Sequence, residues 1–255
     1  MLFAAVLFSS LAHAAAPDPI FLRFEVSVGP GLHVLSLRVN VEQSGEAYSI
    51  GVGAETRSLA DVFVDLRSRL HVRGRIVAGG LLPAAMRAET HRRGADFYTR
   101  IDYGTDGNVT AEASPPPSRP ITPVTEAQMR GTVDQLTAYL ALARALARRS
   151  SCALALAVFD GRRRYDLNFT DAPAEGLPGF AGANQVCHLS RRRIAGFPAD
   201  RGGSETTDRG KLWFARLMPD DLMVPVRMEF DSEFGTFTAE LAELRGRGVH
   251  LRLAE

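Results

Sequence analysis

Lysine is almost missing from this chain of 255 residues: Lys211 is the only one among 30 basic residues, and the rest are arginine. No packing rule clears lysine from a whole surface, so this is a bias of coding composition. Charge of one sign is lacking too. The formal net charge is +1, which argues against nucleic acid and against an anionic membrane as a global partner. No apolar run reaches the ~20 residues that a membrane-spanning helix needs. Catalytic signatures are also absent: there is no H-E-x-x-H, phosphate-binding glycine loop, G-x-S-x-G elbow or C-x-x-C pair. His33, His71, His91, His188 and His250 are scattered without ligand spacing. Asp106-Gly107-Asn108 and Asp160-Gly161 lack the spaced acidic partners of a calcium loop and read as hairpin turns. With no nucleophile, base and orienting group to name, the chain is read as a non-enzyme without cofactor or metal.

What is present begins with residues 1–16, MLFAAVLFSSLAHAAA. A short apolar run closed by Ala12-His13-Ala14 and Ala14-Ala15-Ala16 has the build of a cleaved export leader, although its first residues lack a basic side chain. The expectation is a periplasmic protein cut near Ala14 or Ala16, with residues 17–255 as one β-rich domain. There are two cysteines, Cys152 and Cys187. In an oxidising compartment an even count reads as a disulfide, here closing a large loop. The alternatives are two buried free thiols or a reactive thiol at Cys187 beside His188, the latter weakened because neighbours on a strand face opposite ways.

Alternation with period two dominates the chain, the pattern of half-buried antiparallel strands. Phe24, Val26 and Val28 alternate with polar residues, as do Leu35, Leu37, Val39 and Val41, then Tyr48, Ile50 and Val52. Further strands are expected at 66–76, 86–93, 95–103, 109–113, 154–159, 163–169, 184–194, 211–217, 224–231, 236–241 and 249–253. A short helical turn is expected at 59–63. A proline-rich connection at 114–124 stops the meander, since proline cannot donate ladder bonds. One convincing helix follows at 133–149. Thr132-Val133-Asp134-Gln135 fits a capping box at its start. Leu136, Tyr139, Leu140, Ala143 and Ala147 form its apolar stripe, flanked by Leu142 and Leu146. So wide a stripe predicts cover on more than one side.

One polar constellation stands out. Arg67, Arg69, His71, Arg73 and Arg75 share a face of one strand, and the next strand offers Arg87, His91 and Arg93. If the two strands pair, Arg67, Arg69, Arg73 and Arg87 form a candidate anion-binding face for lipid head groups, lipopolysaccharide phosphates or an acidic partner. The competing reading is a solvated sheet face relieved by Asp65 and Glu89.

The runs VFDGRRRYDLNF, CHLSRRRIAGFPAD, KLWFARL and VPVRMEFDSEFGTFTAEL, preceded by GTVDQLTAYLAL, resemble a bacterial family of exported proteins known only as a domain of unknown function. With a meander that ends at Leu82-Pro83, the resemblance spans nearly the whole mature chain. The family is similar in build to periplasmic lipoprotein carriers and envelope-integrity proteins. That resemblance implies envelope work without catalysis and assigns no ligand residues. The expected fold is mainly β: a strongly curved antiparallel sheet, an open barrel or spiral, wrapped around one central helix. Two functions remain open. One is a binding module that holds a lipid or lipidated partner in a concave apolar face. The other is a structural or protein-interaction factor for the envelope, with a filled core and other envelope proteins as partners. Cavity volume separates them, because ligand sites run to about 300–1,000 Å³ and a filled core leaves only water-sized voids.

Overall fold

The computed structural model describes residues 19–56, 65–177, 180, 185–198, 207–218, 222–232 and 235–253. The expected leader and the expected helical turn at 59–63 lie outside the described residues.

Seven strands run in order through the first part: β1 (Ile20–Val28), β2 (Leu32–Ser44), β3 (Ala47–Thr56), β4 (Leu66–Val77), β5 (Gly80–Arg92), β6 (Ala95–Tyr103) and β7 (Val109–Ser114). Two helices follow, α1 (Glu126–Met129) and α2 (Gln135–Arg149). The chain then returns to β8 (Leu154–Phe159), β9 (Arg164–Asp171), β10 (Gln185–Ala195), β11 (Thr207–Ala215), β12 (Val224–Ser232), β13 (Gly235–Gly246) and β14 (Val249–Arg252). All ladders are antiparallel, and they join into one sheet in the order β7-β6-β5-β4-β3-β2-β1-β13-β12-β11-β10-β9-β8. β1 is the seam. It pairs with β2 on one side and β13 on the other, so Phe24 stands opposite both Leu37 and Leu241. β14 pairs with the end of β13 beyond the stretch that β12 uses.

The alternation puts Ile20, Leu22, Phe24 and Val26 on the inner face, all under 9% exposed. Burial of each such side chain stabilises the fold by about 1.5–3 kcal/mol. The two ends of the sheet approach without a ladder. Gly161, in the turn between β8 and β9, lies against the Thr99 methyl and Ile101 of β6, leaving no room for a side chain. Arg162 donates to the carbonyl of Pro115 just after β7. The result is a barrel-like shell that is open as a hydrogen-bonded structure.

α2 fills that shell. Thr137, Ala138, Leu140, Leu142, Ala143, Ala145 and Leu146 are buried, and its nearest strands are β8 and β5. Its N-terminus differs from expectation. The cap is Asp134, whose Oδ1 accepts from the Thr137 amide at 2.9 Å and whose Oδ2 accepts from the Thr137 hydroxyl at 2.6 Å. Thr132 donates its hydroxyl to the Met129 carbonyl instead. The reason lies at Val133, which is held in extended pairing with the edge strand β8: its amide donates to Ala157 O at 2.9 Å and its carbonyl accepts from Phe159 N at 3.0 Å. A residue held in that bridge cannot start a helix. The capping box belongs to α1, where Thr125 and Gln128 satisfy each other's amides.

The proline-rich connection is also not purely extended over the surface. Thr122 pairs with the stretch after β10, donating to Phe197 O and accepting from Gly196 N. Leu82-Pro83 does not end the meander but lies inside β5. Pro83 faces Gly74 next to a register shift, a place where a ladder tolerates a missing donor. Gly74 has no side chain, and the Tyr48 ring occupies that space. From there the Tyr48 hydroxyl reaches Thr137 Oγ1 on α2 at 2.8 Å.

Candidate ligand-binding cavity

The inner face is not filled everywhere. Between α2 and the strands β1–β3, β11 and β12 lies a cavity of about 310 Å³. Every second residue of each strand contributes: Ile20, Leu22 and Phe24 of β1, Leu37, Val39 and Val41 of β2, Ile50 and Val52 of β3. α2 presents Leu136, Tyr139, Leu140 and Ala143, one turn apart on one face. Phe214, Met228 and Phe230, with Met218, Leu222 and Met223 from the β11–β12 connection, close the far side. Among the described residues of this lining, the Tyr139 hydroxyl is the only side-chain O–H or N–H group.

Sequence reasoning placed the helix stripe and the strands correctly but missed the β11–β12 connection. A signal was there: Met218, Met223 and Met228 are three of the chain's six methionines. Methionine is unbranched and polarisable, and it shapes itself to irregular contents.

Cys152 and Cys187 form a disulfide with Cα atoms 5.7 Å apart. It ties the chain entering β8 to β10, and Asp171 of β9 accepts from the Cys152 amide at 2.7 Å. Both thiol alternatives are thereby removed.

Two of the shifted titratable groups on the inner side, Asp134 and Tyr48, are bonded to Thr137 of α2. Burial pushes the Asp134 carboxyl up from its ordinary value, against the hydrogen bonds from Thr137. Burial likewise raises Tyr48 and Tyr103. Asp134 is already committed to capping α2. Among the described residues no group of three or more His, Cys, Asp or Glu side chains is arranged to hold a metal ion.

On the outer face, β4 alternates as expected, with Arg67, Arg69, His71, Arg73 and Arg75 exposed. The four arginines of the candidate anion-binding face do not converge. Arg67 and Arg69 line one groove of about 550 Å³, which also holds Glu55 and Glu89. Arg73 and Arg87 lie outside it. Arg87 bonds to Asp102 at 2.6 Å and to the carbonyls of Met86 and Ile101. That bond, with Arg100 beside it, holds the Asp102 carboxyl below its usual range. Arg67 is 3.9 Å from Asp65. Arg69 and Arg73 have no carboxylate partner among the described residues.

Fold and cavity together define a class: one antiparallel β-sheet curled around a helix, barrel-like, with an apolar hollow on the helix's flank. The chain belongs to the family described as protein of unknown function (DUF3108), whose model matches residues 23–242. A solved structure is similar to it, the β-barrel-like protein of domain of unknown function DUF1849 from Brucella abortus. That similarity has a TM-score of 0.53 at 15% identity, over 91% of this chain and 99% of the other, and it concerns the fold alone. No curated protein matches the chain.

Proposed function

We propose that this is an exported, non-enzymatic envelope protein that holds the hydrocarbon chain of a lipid or lipidated partner between α2 and the concave sheet. The observation that carries the reading is the cavity of about 310 Å³. Its size falls at the lower end of ligand sites and far above a water-sized void. Its walls offer a polar solute little beyond the Tyr139 hydroxyl and offer an alkyl chain many dispersion contacts. Export draws support from the disulfide, which persists in oxidising compartments, and from the leader-like residues 1–16. Among the described residues no helix is long and apolar enough to cross a membrane. A non-enzymatic role draws support from the structural use of the buried carboxyl Asp134.

Native mass spectrometry of protein purified from the periplasm tests this reading. A bound species of lipid mass, released on denaturation, is the expected result. Protein of bare mass that also fails to take up any alkyl-chain compound would overturn it.

A second reading, a protein-interaction factor, draws on the outer face. There Phe21 and Tyr98 are 42% and 40% exposed and line grooves beside Arg38 and Arg69. Reversal of Arg67 and Arg69 to Glu would abolish binding to anionic vesicles or lipopolysaccharide if this face meets them. Unchanged binding by that double variant would leave the stripe as a solvated face.

A further inference from the structure

A second cavity of about 350 Å³ adjoins the apolar one beside the first turns of α2. Leu136, Tyr139 and Phe230 are walls of both, so the two spaces share a boundary of three side chains. The character changes across that boundary. Beyond it the inner face offers Gln135, Tyr165 and Arg191, and the rim carries Arg209 and Asp231, one charge of each sign.

Arg191 lies two residues from Leu189 on the same face of β10, and its guanidinium lies over the Tyr165 ring, 5.5 Å from the centroid. The Tyr139 ring meets Phe169 edge-on at 6.2 Å, which holds it between the two cavities. Its hydroxyl has no hydrogen-bond partner among the described residues. The Tyr165 hydroxyl reaches Gln135 Oε1 at 3.4 Å. Burial pushes Tyr139 up to about 12 and raises Tyr165 as well, while the Arg191 charge acts in the opposite sense on both. Both phenols are therefore neutral donors at physiological pH, with a cation beside them. Arg191 is already engaged by another group, so a ligand would share its five N–H donors with that partner.

A space that is wholly apolar at one end and carries an arginine and a phenol donor at the other is matched to one kind of molecule. We propose that the ligand is a single-chain anionic amphiphile, a long-chain carboxylate, whose alkyl chain fills the cavity between α2 and β1–β3 and whose carboxylate meets Arg191 and Tyr139 at its mouth. This rests on the reading of the apolar cavity as a ligand site.

The test is calorimetric titration of the delipidated full chain with dodecanoate and, separately, with dodecanol, which has the same chain without the charge. Dodecanoate binds at least about tenfold more tightly, because a charge-assisted hydrogen bond is roughly twice as strong as a neutral one. Arg191→Gln weakens dodecanoate about tenfold and leaves dodecanol unchanged. That unchanged value also shows that the variant has folded. Ala143→Leu, which fills the cavity from α2, removes binding of both. Equal affinity of the wild type for the acid and the alcohol, or a preference that survives Arg191→Gln, would overturn the carboxylate assignment while leaving the cavity as an alkyl-chain site. Binding of neither compound would overturn both.

Discussion

Two sides of the same helix behave differently. Ala138, Leu142, Ala145 and Leu146 on one side are 0%, 0%, 2% and 1% exposed. Leu136, Tyr139, Leu140 and Ala143 on the other side border empty space. By composition the second side is no less apolar, and it is the stripe with the clearer helical period. The first side is packed like an organic crystal, as protein interiors are. The second is apolar but not filled. Apolar character therefore does not distinguish the packed side of this helix from the side that borders the hollow.

The sharpest way to break that comparison is to cut the same side chain on each side. Leu142→Ala, on the packed side, is expected near the top of the range of about 2–5 kcal/mol for buried leucines, and Leu140→Ala, on the cavity wall, near the bottom. Leu140 has void on one flank and loses fewer contacts. Urea unfolding of both variants measures this, and equal losses would mean that the cavity side is as well packed as the other.

Next in size is the disulfide, which ties the end of the helix region to β10. Its 35-residue separation corresponds to about 3–4 kcal/mol of restrained unfolded-chain entropy. Replacement of both cysteines by alanine should lower the unfolding free energy measured in urea by that amount. A loss much smaller than this would mean that the surrounding strands alone hold the packed side.

The smallest effect concerns Asp134, at the junction of the two sides. Asp134→Ala removes the cap and should cost about 1 kcal/mol. Asp134→Asn keeps the acceptor without the charge. Because burial raises the carboxyl's folded-state value above that of the unfolded chain, the native state binds the extra proton. Stability from this group is therefore full below the unfolded value and is lost as pH rises through the folded one. Thermal unfolding should show Asp134→Asn gaining on the wild type as pH rises from acid toward neutral. A gain in the opposite direction would mean that the capped carboxylate is favoured over the acid.

Much of the architecture was legible because a period-two pattern has one physical meaning: residues two apart share a face, and a sheet with one apolar face must cover it. The misplaced features share a cause. The cap at Thr132 fits the local rule, yet Val133 is claimed by β8, and a long-range ladder overrides a local preference. Leu82-Pro83 looked like an ending, but a register shift at Gly74 admits the proline into β5. The arginines of β4 and β5 do lie on neighbouring strands, but the bonds of Arg87 to Asp102 and two carbonyls turn it away from the groove that Arg67 and Arg69 share.

By itself the sequence determined the class of fold, the one buried helix and the pairing of two cysteines, since periodicity and cysteine count depend only on neighbours along the chain. Which side of the helix stayed hollow was decided only in three dimensions. So was the placement of Arg191 in the adjoining space, which residues of β9, β10, β12 and α2 line together. Which strands come to face the helix depends on pairings between segments far apart in sequence, such as β1 with β13.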